Sequence, residues 1–125
     1  MNREEFIRYT EETYSVTHDH PFSDDNCTAV FRHSQNRKWF ALVMTIPQNK
    51  LGIDGDELVS VVNLKCDPDM KYSFIDGVGI FPAYHMSKRH WITAILDGRV
   101  EDDKLKWLLD VSYDLTGIKR KNAVK

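Results

Sequence analysis

The run from Trp39 to Ile46 constrains the fold more than any other part of the chain. Its residues, Trp-Phe-Ala-Leu-Val-Met-Thr-Ile, are nearly all apolar, and Pro47 ends it. Its length, its β-branched and aromatic content and its polar and proline flanks read as a strand rather than a helix. Side chains alternate across a strand, which puts Phe40, Leu42 and Met44 on one face and Trp39, Ala41, Val43 and Thr45 on the other. Both faces are largely apolar, so water is excluded from both. The run Leu58 to Lys65 behaves alike, with Leu58, Val62 and Leu64 pointing one way and Val59, Val61, Asn63 and Lys65 the other. A helical layer can cover one face of such a sheet. Over the second face, a partner or a small extra element of the chain itself is expected.

The remaining elements fall on either side of these two strands. Asn2 and Glu5 form a capping-box pattern, followed by Phe6, Ile7, Thr10, Thr13 and Tyr14 at helical spacing. Val16 to Asn26 is a connector, since Pro21 cannot continue a helix, and Phe22 is expected to anchor it to the core. Cys27 to His33 reads as a strand, joined to the long one by the polar turn Ser34-Gln35-Asn36-Arg37. Asp67-Pro68 predicts a helix start, with the helix running through Met70 and Phe74 to Asp76-Gly77. Val78 to Phe81 and Trp91 to Leu96 are further strands. A last helix starts near Glu101-Asp102-Asp103 and buries Leu105, Leu108, Leu109, Ser112 and Leu115 before Gly117 ends it. The order α-βββ-α-ββ-α predicts an α+β fold, a two-layer sandwich of an antiparallel sheet with helices on one face. Residues 1–118 form one domain in this reading, and 119–125, with Lys119, Arg120 and Lys121, a frayed basic tail.

Composition narrows the function classes. The chain has 125 residues, 42% hydrophobic and 29% charged, with net charge −2. That size suits one domain and the composition is globular. Nucleic-acid binders are often basic overall, so any such role rests on a local patch. Cys27 and Cys66 belong to no CxxC pair and read as reduced cysteines in or near the core. The N-terminus is too polar and acidic for a signal peptide, and no apolar run approaches membrane-spanning length. A cytoplasmic location with no membrane contact is expected.

One segment gathers chemistry-bearing side chains. Tyr84, His85, Lys88, Arg89 and His90 lie within a short hairpin that ends at Trp91. Cations beside aromatics suit phosphates and stacked bases. Lys65, Lys38 and Arg37 extend the patch across the open sheet face, and Trp39 and Trp91, if exposed, are natural interface anchors. Catalysis is not expected: His85 or His90 as a base would need an orienting partner and a cleft that no motif supplies. No phosphate loop or nucleophile elbow occurs, and Ser112 is expected to bond back to a helical carbonyl. His18, Asp19, His20, Asp24 and Asp25 fit no named metal-ligand spacing, and with Glu4, Glu11 and Glu12 on the first helix they read as a solvated acidic surface. Asp54-Gly55-Asp56 lacks the ligand series of a calcium loop and reads as a turn. No cofactor or metal is expected.

The run Pro82-Ala83-Tyr84-His85-Met86-Ser87-Lys88-Arg89-His90-Trp91-Ile92 resembles the signature segment of the MmcQ/YjbR family. Val62-Asn63-Leu64-Lys65-Cys66-Asp67-Pro68, Trp39-Phe40-Ala41-Leu42 and Ser112-Tyr113-Asp114-Leu115 resemble further family segments, in order along nearly the whole chain. The resemblance implies a fold grouped with frataxin-like (CyaY-like) and secretion-chaperone-like domains, and a function mostly unassigned. It implies DNA binding through two β-hairpin loops, a double wing, by analogy of fold. Here the long connection from Pro47 to Glu57 carries Asp54, Asp56 and Glu57 against Lys50, a poor match to phosphate. The leading expectation is therefore a binding module for DNA or another polyanion at the hairpin; the alternatives are a protein partner, including a second copy of the chain, and a small enzyme or metal-handling protein.

Overall fold

The computed structural model describes residues 1–22 and 28–117. Cys27, Asp24, Asp25 and the basic tail lie outside the described residues. Helix α1 spans Arg3–Tyr14, and its capping box is formed as the spacing predicts: Asn2 Oδ1 accepts from the Glu5 N–H, and Glu5 accepts from the Asn2 N–H. Six strands follow, β1 (His18–Asp19), β2 (Ala29–Arg32), β3 (Trp39–Pro47), β4 (Leu58–Lys65), β5 (Ile80–Pro82) and β6 (Trp91–Ile95), and then helix α2 (Asp102–Thr116). They form one antiparallel sheet in the order β1-β2-β3-β4-β6-β5. The α+β sandwich is confirmed. Helices α1 and α2 share one face, where Phe6, Leu105, Leu108 and Leu109 close over Phe31, Val43, Val62, Leu64, Ile92 and Ala94.

Three elements depart from the expected order. The connector after α1 contributes β1, which extends the sheet by pairing with β2. The helix expected after Asp67 is only a turn and a 3-10 segment, Lys71–Ser73. Asp67 does start the turn, with its carboxylate accepting from the Asp69 N–H at 2.8 Å. The segment is too short to repay helix nucleation, and only Phe74 and Ile75 reach the core. On α2 the buried stripe ends at Thr116, while Leu115 faces out.

The alternation of β3 also needs correction. Phe31 pairs with Ala41 but Arg32 with Trp39, so Phe40 is an extra residue, a β-bulge. The bulge lets Phe40 join Ala41 and Val43 beneath the helices, while Met44 and Ile46 pack on the opposite face. Ser112 tidies this irregularity. Its hydroxyl donates to the Phe40 carbonyl at 2.5 Å and accepts from the Lys65 N–H at 2.9 Å. Phe40 and Lys65 are the next residues along the β3–β4 register, so a helix side chain completes the ladder there. The expected back-bond of Ser112 to its own helix is not what forms.

On the second face, Met44, Ile46, Val61, Phe81 and Ile95 make a smaller apolar cluster. The extra element over it is the connection after β3. A 3-10 turn, Gln48–Leu51, lays Leu51 and then Ile53 against the cluster, and Tyr84 joins from the other side.

Candidate functional site

The open part of the second face holds a groove of about 460 Å³ lined by Phe22, Thr28, Trp39, Leu42, Met44, Asn63, His85 and Met86. Strands β3 and β4 supply its floor, Phe22 and Thr28 border one side, and the loop between β5 and β6 the other. Phe22 stands edge-on to Trp39, ring centroids 6.0 Å apart. It stays partly exposed, so it is a wall of the groove rather than the core anchor expected of it. Arg32 lies over the outer face of this wall, its guanidinium carbon 5.8 Å from the Trp39 ring centre.

The second wall is fixed by buried polar groups. Asn63 and Thr93 are fully enclosed. The Thr93 hydroxyl donates to Asn63 Oδ1 at 2.5 Å and accepts from the Tyr84 N–H at 2.9 Å, while Asn63 Nδ2 donates to the Tyr84 carbonyl at 2.8 Å. Both backbone groups of Tyr84 are thus held by side chains of the central strands. The next residue, His85, takes a left-handed conformation, φ 59°. That conformation is uncommon for a side-chain-bearing residue and costs about 1 kcal/mol or more. It turns the chain so that His85 and Met86 border the groove, with the His85 ring 3.9 Å from that of Tyr84.

The predicted site residues divide. His85 and Trp39 line the groove, and Tyr84 sits partly buried behind it. Lys65 and Trp91 pair in register on β4 and β6, on the same face as Asn63 and Thr93. Trp39 and Trp91 are each half-buried. Lys88 is turned to structural use: its Nζ donates to the Ala83 carbonyl at 2.8 Å, closing the loop on itself. Its own carbonyl accepts from Lys71 Nζ at 2.6 Å. His90 serves through its backbone, its carbonyl accepting from Cys66 N–H at 2.8 Å. Lys38, in the β2–β3 turn, and Arg89 are exposed. Among the described residues the side chains of Lys38, Lys65 and Arg89 pair with no carboxylate. Leu42, Met44 and Met86 escaped the sequence reading because apolar residues in a strand or loop look like core. Asn63, one amide within an apolar strand, was the visible signal.

The titratable groups under the helices do not form a second centre. His33 packs between Phe40 and Tyr113, and its Nε2 meets the Thr116 hydroxyl at 2.8 Å. Burial pushes its pKa below the usual imidazole value, against the raising effect of the Tyr113 carbonyl. Burial likewise raises the Cys66 thiol, which leaves it a poor nucleophile. Burial and the adjoining Asp110 carboxylate raise the Tyr14 hydroxyl. No group of three or more His, Cys, Asp or Glu residues suited to a metal exists among the described residues. No helix among them is long and apolar enough to cross a membrane.

The fold and groove define a small α+β protein whose one open sheet face is shaped between two loops. The YjbR family model matches residues 11–115, and the chain belongs to that family. It is 34% identical over 116 residues to the uncharacterized protein YyaQ of Bacillus subtilis, covering 93% of this chain and 98% of that one. Among solved structures, a crystallised Pseudomonas syringae protein is similar at TM-score 0.91 and 45% identity, covering 94% of this chain and 100% of that one. A Deinococcus radiodurans protein is similar at TM-score 0.69 and 26% identity, covering 99% of this chain and 82% of that one.

Proposed function

We propose that this YjbR-family protein is a binding module rather than an enzyme, and that it holds a single strand of nucleic acid across the groove. The observation that carries the reading is a groove walled by aromatic rings, with Lys65, which no described carboxylate neutralises, on the same sheet face as Asn63 of its floor. Trp39, Phe22 and His85 offer ring surfaces to an unstacked base. Lys65 lies two residues along β4 from Asn63 on the same face, and Arg89 follows Met86 in the loop between β5 and β6. A groove of this size admits one base at a time and not the side of a duplex.

The net charge of −2 sets the strength. Binding is expected to be modest and to weaken steeply with salt, because displaced counterions drive it. Fluorescence anisotropy of labelled single-stranded and duplex DNA, at low and physiological salt, tests this. The single strand is expected to bind and the duplex to bind far less. Trp39→Ala is expected to weaken the complex about tenfold or more, since one stacked base contributes about 1–3 kcal/mol. Equal affinity for duplex, or an unchanged Trp39→Ala, sinks the assignment to the groove.

A second reading is favoured by the apolar floor of Leu42 and Met44. A protein partner could seat an apolar side chain there, with Trp39 as its anchor. Absence of any nucleic-acid binding at low salt favours this reading instead.

A further inference from the structure

A second concavity lies on the far side of the Arg32–Trp39 contact, between the end of α1 and the β2–β3 turn. Its volume is about 290 Å³, and its lining includes Thr17, His18, Asp19, Arg32, Ser34 and Arg37. Neither the groove nor its proposed strand ligand uses it.

The charge balance of this pocket is incomplete. Arg32 is three-quarters buried, its side chain 23% exposed. Its Nε is enclosed and meets no acceptor, and its sole ion pair among the described residues is a long one, 3.4 Å from a terminal nitrogen to Asp19 Oδ2. Asp19 is itself half in solvent. A largely desolvated guanidinium normally takes close, paired acceptors, so one long ion pair beside the Trp39 ring leaves its N–H donors under-compensated. Arg37 adds a second guanidinium with no carboxylate partner among the described residues. Its backbone is left-handed, φ 64°, and is tied to the His33 carbonyl at 3.0 Å, which fixes where its side chain leaves the turn. His18 does not alter the count, because Glu11 holds its Nδ1 at 2.8 Å. The lining therefore sets two guanidiniums and the hydroxyls of Ser15, Thr17 and Ser34 against one carboxylate.

We infer that this pocket is an oxyanion site, in which Arg32 and Arg37 hold a phosphate or carboxylate group and the hydroxyls complete its hydrogen bonds. Planar guanidiniums match such groups through paired N–H donors. The bound group takes the place of Asp19 as the main partner of Arg32. The site stands without the strand-binding reading, because a small anion needs no base in the groove.

The test uses the full chain, labelled with nitrogen-15, and follows the arginine Nε–H signals by NMR. Inorganic phosphate and acetate are added in separate titrations, each against sodium chloride at equal ionic strength. The Arg32 and Arg37 signals are expected to move and saturate with phosphate, acetate or both, and not with chloride. Saturation at the lower concentration identifies which source the site prefers. Arg37→Ala, at an exposed turn, is expected to raise the midpoint about tenfold while the backbone amide spectrum keeps the pattern of the folded protein. Shifts that follow ionic strength alike for all three salts overturn the site, as does an unchanged midpoint in Arg37→Ala. Loss of DNA binding in Trp39→Ala with phosphate still saturating would leave this site intact, so the two readings fail separately.

Discussion

His33 shows how one buried side chain ties stability to pH. It is 6% exposed, set between two aromatic rings, and bonded to Thr116 at the end of α2. Gly117 makes the close fit possible, since a Cβ there would lie 3.2 Å from the imidazole Cε1. Burial favours the neutral ring, so the folded pKa lies below the ordinary value of 6.5. The sign follows from linkage. Above that value both states bind no proton at His33 and its full contribution is present. As pH falls below it, the unfolded chain takes up the proton first, and stability is lost until the folded ring also titrates. One such group gives a slope of at most about 1.4 kcal/mol per pH unit. Urea midpoints at pH 7.5 and 5.5 are expected to fall with acid in the native chain and to change much less in His33→Gln. An equal fall in both would assign the acid sensitivity elsewhere.

At the scale of elements, the long strand β3 shows what the pattern could and could not reveal. Its two apolar faces, and the need for a cover over the second, were readable from alternation. The bulge at Phe40 was not, because an extra residue leaves no compositional mark. It depends on the register against the neighbouring strand β2 and on Ser112 from α2, which is distant in sequence. The short middle helix was overread for a related reason. Asp67-Pro68 starts a turn in either case, but what prolongs a helix is an apolar face to bury, and Tyr72 and Met70 are exposed. The cover itself is testable. Leu51 and Ile53 are the two side chains that the connection after β3 lays on the second cluster. Replacing both by Ser is expected to cost about 2–4 kcal/mol, because each is partly buried, and to expose apolar surface that binds a reporter dye. Chemical denaturation measures the first and dye fluorescence the second. Full stability in the double variant would show that the cluster is held from the strands alone.

For the whole molecule, the candidate site was legible in its chemistry more than in its place. The hairpin from Tyr84 to Trp91 does border the open face, yet Lys88 is consumed inside its own loop. The groove is instead built from residues that a sequence reading assigns to core, and from Phe22, whose exposure only the folded chain decides. The same strands serve both layers. Val43, Val62 and Ala94 sit under the helices, while their immediate neighbours Met44, Val61 and Ile95 sit in the second cluster. Neither face can lose its packing without the strand backbone that carries the other. The groove and the helical layer should therefore melt together, as one cooperative unit. Tryptophans report on each side: Trp39 walls the groove, and Trp107 on α2 packs edge-on to Phe74 with ring centroids 5.2 Å apart. A chain keeping only Trp39, made by Trp91→Phe with Trp107→Phe, reads the open face. A chain keeping only Trp107, made by Trp39→Phe with Trp91→Phe, reads the helical side. Within each variant, tryptophan fluorescence and far-ultraviolet circular dichroism are expected to give one urea midpoint. If Trp39 fluorescence changes well before the circular dichroism in its variant, the groove opens as a separate unit. The strand proposed to bind there would then meet a wall that forms only in the complex.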